Sequence, residues 1–340
     1  RLIEDKARGT YNSNKTLLTY SYQGDIFMLE IKTGKTTRIT NTTATETSPV
    51  FSFGDSQVVY QLHSDLYAWN RASGVTSQLT SFENGSRPKK ENENDNDNAE
   101  EKYLKAQQLE LLQIIRDRKL RKDAREAYSQ AHEPKKLRSL YLEDKRLLNL
   151  QISPDGRFVT YTLFSEPSGA RSTIVPEFVT ATGYTSAIPS RDKVGAPQGS
   201  FESFVYDRQQ DTVLRVKTTG LPGIKDLPDY VKDYTKKDTP HTREVIVNGP
   251  YWSEKDTHAI ADIRSQDNKD RWIVLLDAAT GTVKTLNRQR DEAWVAGPGI
   301  GWSMGGANIG WIDENNCWFQ SEASGFSHLY TVNVNNGHTR

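Results

Sequence analysis

Five residues near the end of the chain, Gly301-Trp302-Ser303-Met304-Gly305, carry the most recognisable chemical pattern. They fit G-x-S-x-G, the nucleophile elbow, in which a serine at a sharp strand-to-helix turn attacks a carbonyl carbon. That chemistry needs a buried strand before the serine and a helix after it. The preceding residues 296–300 include two glycines and a proline, which do not suit a central strand. We therefore predict that Ser303 is not catalytic and that this chain carries no catalytic residue.

Tyr184, Arg191 and Lys193 are the candidates for ligand binding, because a phenol and two cations could hold a carboxylate or peptide carbonyls. We predict them as substrate-binding residues, with solvated or packing roles as the alternative. The six histidines have no metal-ligand spacing, and no glycine-rich phosphate loop precedes a helix, so we expect no metal and no cofactor. His328 precedes a strand, and we expect it to be a hydrogen-bonded rim or core residue.

The elements that must position these residues are short hairpins, best seen between Leu150 and Tyr161. Two alternating strands flank the turn Ser153-Pro154-Asp155-Gly156. Pro154 presets φ near −65°, and Gly156 can adopt the positive φ that closes the turn.

Related hairpins recur along the chain, each followed by an aromatic or aliphatic strand, a small turn with glycine and a polar strand. Four short strands in roughly 40–50 residues is the period of a β-propeller blade. The sequence therefore predicts an all-β fold, a β-propeller with a helical insertion. Five units are recognisable, near residues 15–40, 49–80, 149–217, 250–287 and 308–340.

Three segments interrupt this repeat within a single predicted propeller domain, residues 1–340. Residues 84–148 begin as a polar loop and continue as an amphipathic helix from Ala99 to near Ala131. Residues 165–200 and 218–243 are rich in glycine, proline and polar residues, which predicts long rim loops of the kind that often bind ligands.

The composition excludes several classes of protein. The chain has 340 residues, with 44 lysines and arginines against 44 aspartates and glutamates, so no net positive field attracts nucleic acid. A single cysteine, Cys317, excludes an internal disulfide framework. No apolar run reaches the roughly 18–20 residues of a membrane span.

The end of the chain also carries a longer pattern, Trp318-Phe319-Gln320-Ser321-Glu322 continuing to Gly325 and His328-Leu329-Tyr330. It resembles the W…SE-x-x-G-x-x-HLY signature in the N-terminal propellers of dipeptidyl peptidase IV-like serine peptidases, the prolyl oligopeptidase family. The Ser153-Pro154-Asp155-Gly156 hairpin is similar to blades of the same family. The resemblance covers most of the chain outside residues 84–148.

This resemblance implies a seven- or eight-bladed propeller that covers the active site, admits peptides and contributes substrate-binding side chains. It also implies a following α/β-hydrolase domain that holds the Ser, Asp and His, so that this chain is expected to be an N-terminal fragment. Members of the dipeptidyl peptidase type clamp the substrate amine with a pair of glutamates. Glu100-Glu101 is the only adjacent pair here, and it lacks the aromatic context of that motif. A periplasmic or secreted location is implied only by the resemblance.

Two alternatives remain open from the sequence. The chain is either the non-catalytic, substrate-gating propeller of a serine-type peptidase or a stand-alone TolB-like propeller that binds a protein partner. A cut propeller would also expose a sheet edge, on which basis we expect dimerisation or aggregation.

Overall fold

The structure, a computed structural model, describes residues 8–87, 99–132, 136–193, 195–233, 239–254, 258–301 and 306–340. The chain divides into two compact units. Residues 1–79 and 144–340 form the first unit, which contains five antiparallel sheets of three or four strands. Residues 80–143 form the second, which contains both α-helices found among the described residues.

The first two sheets are four-stranded meanders, here called blades 1 and 2. Blade 1 comprises β1 (Thr10–Tyr11), β2 (Leu17–Tyr22), β3 (Asp25–Glu30) and β4 (Thr36–Arg38). Blade 2 comprises β5 (Glu46–Ser52), β6 (Gln57–Leu62), β7 (Asp65–Asn70) and β8 (Thr76–Gln78).

The second unit opens and closes with a parallel strand pair, β9 (Ser81–Glu83) and β10 (Ser139–Tyr141). Between them lie α1 (Ala99–Leu111) and α2 (Gln113–His132). The prediction of one continuous helix from Ala99 to near Ala131 was therefore wrong at one point, because the helix is interrupted at Leu112. The strand pair holds the two ends of the insertion side by side.

The remaining sheets, blades 3 to 5, follow in chain order. Blade 3 comprises β11 (Arg146–Ile152), β12 (Phe158–Ser165), β15 (Ser200–Asp207) and β16 (Thr212–Arg215), and a separate hairpin of β13 (Ser172–Glu177) and β14 (Ser186–Asp192) lies between β12 and β15 in sequence. Blade 4 comprises β17 (Val245–Trp252), β18 (His258–Ser265), β19 (Asp270–Asp277) and β20 (Thr282–Arg290). Blade 5 comprises β21 (Ile309–Trp311), β22 (Asn316–Ser321) and β23 (His328–Asn333).

These five sheets coincide with the five units predicted from the repeat, so the predicted fold class is confirmed. The turn between β11 and β12 forms as its residue types require. Gly156 has φ of +77°, and the Ser153 amide donates to the Phe158 carbonyl over 2.8 Å. In the strands that flank such turns, alternating apolar residues bury one face of the strand, and a continuous apolar run buries both faces.

Consecutive blades are joined by hydrogen bonds as well as by apolar packing. The Ser52 hydroxyl of blade 2 donates to the Ser153 carbonyl of blade 3 over 2.8 Å. The Lys217 amide, just after β16, donates to the Gly281 carbonyl of blade 4 over 2.8 Å. A buried cluster that includes Ile260 and Phe319 fills the space between blades 4 and 5.

The two predicted rim loops are more ordered than their composition suggests. Residues 165–200 contain the β13–β14 hairpin, and residues 218–243 contain a 3₁₀ turn at Asp229–Asp233. None of the helices in the described ranges is both long and apolar enough to span a bilayer.

Candidate functional site

Strand alternation places charged residues on the face of blade 4 that packs against blade 5. Ile260 of β18 and Ile273 of β19 belong to this face, because both lie in the buried cluster shared with blade 5. Since alternate residues of a strand point to the same side, three charged residues further along follow them onto this face. They are Asp262, Arg264 and Arg271.

These three residues form a buried ionic group, called the Asp262 cluster. Asp262 Oδ1 accepts from Arg271 Nε at 2.8 Å, and its Oδ2 accepts from Arg264 Nε at 3.4 Å. Arg264 Nη1 also donates to the Gly301 carbonyl, and Arg271 Nη1 to the Gln320 carbonyl, both over 2.6 Å. The side chains are 0–3% exposed. The cluster therefore ties blade 4 to blade 5 and to the segment between them.

A second carboxylate, Asp270, lies at the start of β19 and receives three arginines. Arg243 Nη2 donates to it over 2.6 Å, and Arg288 Nε and Arg290 Nη1 each donate over 2.8 Å. The Asp270 side chain is fully buried. Arg288 and Arg290 therefore extend, like Asp270, from the face of blade 4 that is opposite blade 5, where Asp226 and Glu292 complete their pairing.

A cleft of about 360 Å³ lies between β20 and blade 5. Its lining combines amide, carboxylate and aromatic side chains, a composition suited to a polar ligand with an apolar body. The lining includes Asn287, Gln289, Asp291, Trp294, Ile300, Phe319, Glu322 and Tyr330. Gln289 connects the cleft to the Asp262 cluster, since its Oε1 accepts from Arg271 Nη1 at 3.3 Å.

The charged side chains around Asp270 are held in their ionised forms. Burial opposes the charge of Arg288 and Arg290, but the carboxylates beside them outweigh it and raise the pKa of both guanidinium groups. The amide of Asp229 and the Arg290 guanidinium hold the pKa of Glu292 below its usual value. In the Asp262 cluster, burial lowers the pKa of the Arg264 guanidinium despite the adjacent Asp262 carboxylate.

The structure separates the three predicted substrate-binding residues along the β13–β14 hairpin. Tyr184 lies in the loop at the tip and is 81% exposed, whereas Arg191 is near the end of β14 and Lys193 follows it. At roughly 3.3 Å per residue, the hairpin puts well over 15 Å between tip and base. One small carboxylate does not span that distance, but an extended peptide does. Their substrate-binding role stays a prediction.

The other residues considered from the sequence fall in different places. Ser303 lies outside the described residues. Glu100 and Glu101 lie in the first turn of α1 and are exposed. His328 begins β23, is exposed, and its Nδ1 lies 3.3 Å from the Ser324 hydroxyl.

The sequence reasoning missed Asp262, Arg264, Arg271 and the cleft beside them. A signal was present in β18. Asp262 and Arg264 share one face of this strand with Ile260, and the other face carries the apolar residues Ala261 and Ile263. Such a strand is buried on both sides, so its charges have to pair within the interior.

The fold and this interblade site define the chain as a β-propeller with polar seams between blades. The family model for the dipeptidyl peptidase IV (DPP IV) N-terminal region matches residues 6–92 and 145–340. The chain belongs to this family, which is a peptidase-associated domain. The match omits most of the residues that form the second unit.

Solved structures give weaker likenesses. A candidate dipeptidyl aminopeptidase IV from Bacteroides ovatus is 10% identical, with a TM-score of 0.47 over 96% of this chain and 34% of that one. Porphyromonas gingivalis dipeptidyl peptidase 4 is 11% identical, with a TM-score of 0.48 over 97% of this chain and 38% of that one. The chain thus spans about a third of the length of these two proteins. Comparison with curated protein sequences finds no match.

Proposed function

We propose that this chain is the non-catalytic, substrate-gating propeller of a serine-type peptidase. The parent enzyme hydrolyses peptides, as a dipeptidyl peptidase or an oligopeptidase, through a Ser-Asp-His triad located after residue 340. The observation that carries the proposal is the family match on both sides of the insertion, together with the closing signature that includes Ser321, Glu322 and His328.

The partners in this proposal are a peptide and an α/β-hydrolase domain of the same parent. The cleft between β20 and blade 5 supports a peptide ligand, because Asn287 and Gln289 supply amide groups and Glu322 supplies a carboxylate within one cavity. Trp294 and Tyr330 add apolar surface for side chains. The exposed β13–β14 hairpin, with Tyr184, Arg191 and Lys193, is the second proposed contact. A periplasmic or secreted location belongs to the same proposal.

The experiment compares this 340-residue chain with the parent protein extended several hundred residues past Arg340. Both are treated with a fluorophosphonate probe, which reacts with activated serines, and both are assayed on dipeptide-releasing and longer peptide substrates. We expect labelling and hydrolysis only in the longer protein. A matched variant of it, Glu322→Gln, is expected to raise KM at least several-fold while leaving fluorophosphonate labelling intact.

Two results would contradict the proposal. Labelling of the short chain that is lost in Ser303→Ala would make Ser303 a nucleophile. Inactivity of both proteins would favour the stand-alone, TolB-like scaffold that binds a protein partner.

A further inference from the structure

Three N–H donors on the blade-5 face of blade 4 have no hydrogen-bond partner within the described part of the chain. They are Arg264 Nη2, Arg271 Nη2 and Asn248 Nδ2. Arg264 and Arg271 have side chains 3% and 0% exposed, and Asn248 is 6% exposed. Folded proteins almost always satisfy buried donors, because a donor that has lost its water and gained no acceptor is costly. Three such donors in one region therefore indicate a missing acceptor.

The register of blade 4 brings these side chains together. Arg264 of β18 lies directly opposite Arg271 of β19, and Asn248 of β17 lies opposite Asp262 of β18. Directly opposed residues have Cβ atoms only about 4.5–5.5 Å apart. Two like charges at such positions repel each other, so an anion between them has a clear physical role.

The charge count of the Asp262 cluster leaves one positive charge unbalanced. Two guanidinium groups face one carboxylate, and their other partners are the neutral oxygens of Gly301, Gln320 and Gln289. Asp270, next to Arg271 in sequence, points to the opposite face of β19 and is already paired with other arginines. A buried, unbalanced charge is strongly unfavourable unless a counter-charge accompanies it.

We propose that the Asp262 cluster binds one small monovalent anion, of the size of chloride or a carboxylate group. The anion accepts from Arg264 Nη2, Arg271 Nη2 and Asn248 Nδ2, and it brings the charge of the cluster to zero. A phosphate dianion would instead leave the cluster negative. Because both arginines also hold oxygens of Gly301 and Gln320, the anion stabilises the joint between blades 4 and 5. This inference does not depend on the proposed peptidase function.

The direct test uses crystals of the wild-type protein grown in sodium bromide, with anomalous diffraction recorded at the bromine edge. We expect an anomalous peak within hydrogen-bonding distance of Arg264 Nη2 and Arg271 Nη2. Loss of the peak when formate is added identifies a carboxylate as the competing ligand, and its retention identifies a halide site. A water molecule, or no density, between the two arginines in bromide overturns the proposal.

A solution test measures thermal unfolding of the wild-type protein in sodium chloride and in sodium gluconate at equal ionic strength. Chloride is expected to raise Tm by about 2–4 °C at saturation. Arg271→Gln should abolish this rise. Arg243→Gln is the matched control: all three guanidinium nitrogens of Arg243 have partners, so this variant should lower Tm and keep the chloride effect.

A second variant covers the case in which Arg271→Gln does not fold. Asn248→Asp places a fixed negative charge beside the two arginines and so replaces the anion. We expect this variant to be at least as stable as the wild type in gluconate and to be insensitive to chloride. A wild-type Tm that is the same in chloride and gluconate would overturn the proposal.

Discussion

At the scale of single residues, Gly156 joins blades 3 and 2 because two constraints act on it. Its φ is +77°, a conformation that L side chains rarely adopt, and a Cβ there would lie 2.3 Å from the Phe53 ring. Gly156→Ala would therefore combine backbone strain with overpacking. We expect it to lower the free energy of unfolding by about 2–4 kcal/mol, measured by urea denaturation.

Gly34 provides the control for this substitution. Its φ is +70°, but no atom lies within 4 Å of a Cβ built there. Gly34→Ala should therefore lower the free energy of unfolding only through backbone strain, by about 1 kcal/mol. Equal losses in the two variants would mean that the Phe53 contact contributes nothing.

Cys317 allows a second prediction at this scale, on pH and reactivity. Burial in the core between blades 4 and 5 raises the pKa of its thiol to about 12. The thiolate is the reactive form, so native Cys317 should resist a thiol reagent such as iodoacetamide at pH 8 and react fully in denaturant. Native labelling at the rate of a free thiol would contradict the burial.

The same pKa shift has a defined effect on stability. An acid whose folded pKa is raised contributes stability at low pH and loses it as the pH rises above the unfolded value. For Cys317 this window extends from about 9 to about 12. Alkaline destabilisation in that window should be smaller in Cys317→Ala, which has no thiol to ionise.

At the scale of elements, the strand β12 anchors the joint between blades 3 and 4. Phe158, at its first position, is 1% exposed and stacks on Trp252 of β17 with ring centroids 6.4 Å apart. It also belongs to a buried cluster with residues of β18 and β19. One aromatic side chain therefore joins two sheets.

Phe158→Ala should destabilise the protein by about 3–5 kcal/mol, because it removes a large buried side chain and leaves a cavity. The loss of the stacking partner should also change the fluorescence of Trp252. Phe178→Ala is the control. Phe178 is 75% exposed, so its removal should change the free energy of unfolding little. Similar losses for the two variants would show that Phe158 is not part of the joint.

The hairpins were predictable at this scale, whereas the helical insertion was only partly so. The turn chemistry of Pro154 and Gly156 acts over four residues, so the local sequence decides it. The break at Leu112 has no glycine or proline to announce it. The parallel pairing of Ser81–Glu83 with Ser139–Tyr141 joins residues 58 apart, which no local pattern specifies.

At the scale of the whole molecule, the outer edge of blade 5 is the feature with a testable consequence. Thr331 and Asn333 of β23 pair with Arg340 and His338, which provide the beginning of a fourth strand. In the described part of the chain, His328 to Tyr330 have no strand on their outer side. Leu329 there is 67% exposed. Such an edge is a template for pairing with another strand.

We therefore expect the 340-residue chain to dimerise or aggregate, as measured by light scattering across a range of concentrations. Leu329→Lys, which places a charge on this edge, should reduce association without unfolding the sheets. A monodisperse wild-type monomer would show that the edge is protected in solution.

The sequence alone determined the blade repeat, the five blade positions and the family, because these depend on period-2 alternation, turn residues and a contiguous signature. It also determined that the first helix begins at Ala99, since an apolar-poor run precedes a helical pattern. Each of these features is decided by residues close together in the chain.

The tertiary structure decided the rest, above all the Asp262 cluster and the cleft beside it. Asp262 and Arg271 are nine residues apart, and Gln320 lies 49 residues beyond Arg271. They meet only because strand register aligns β18 with β19 and because blade 5 packs on the same face. Neither register nor blade packing is encoded in any short segment, since both result from burying the apolar surfaces of all strands at once.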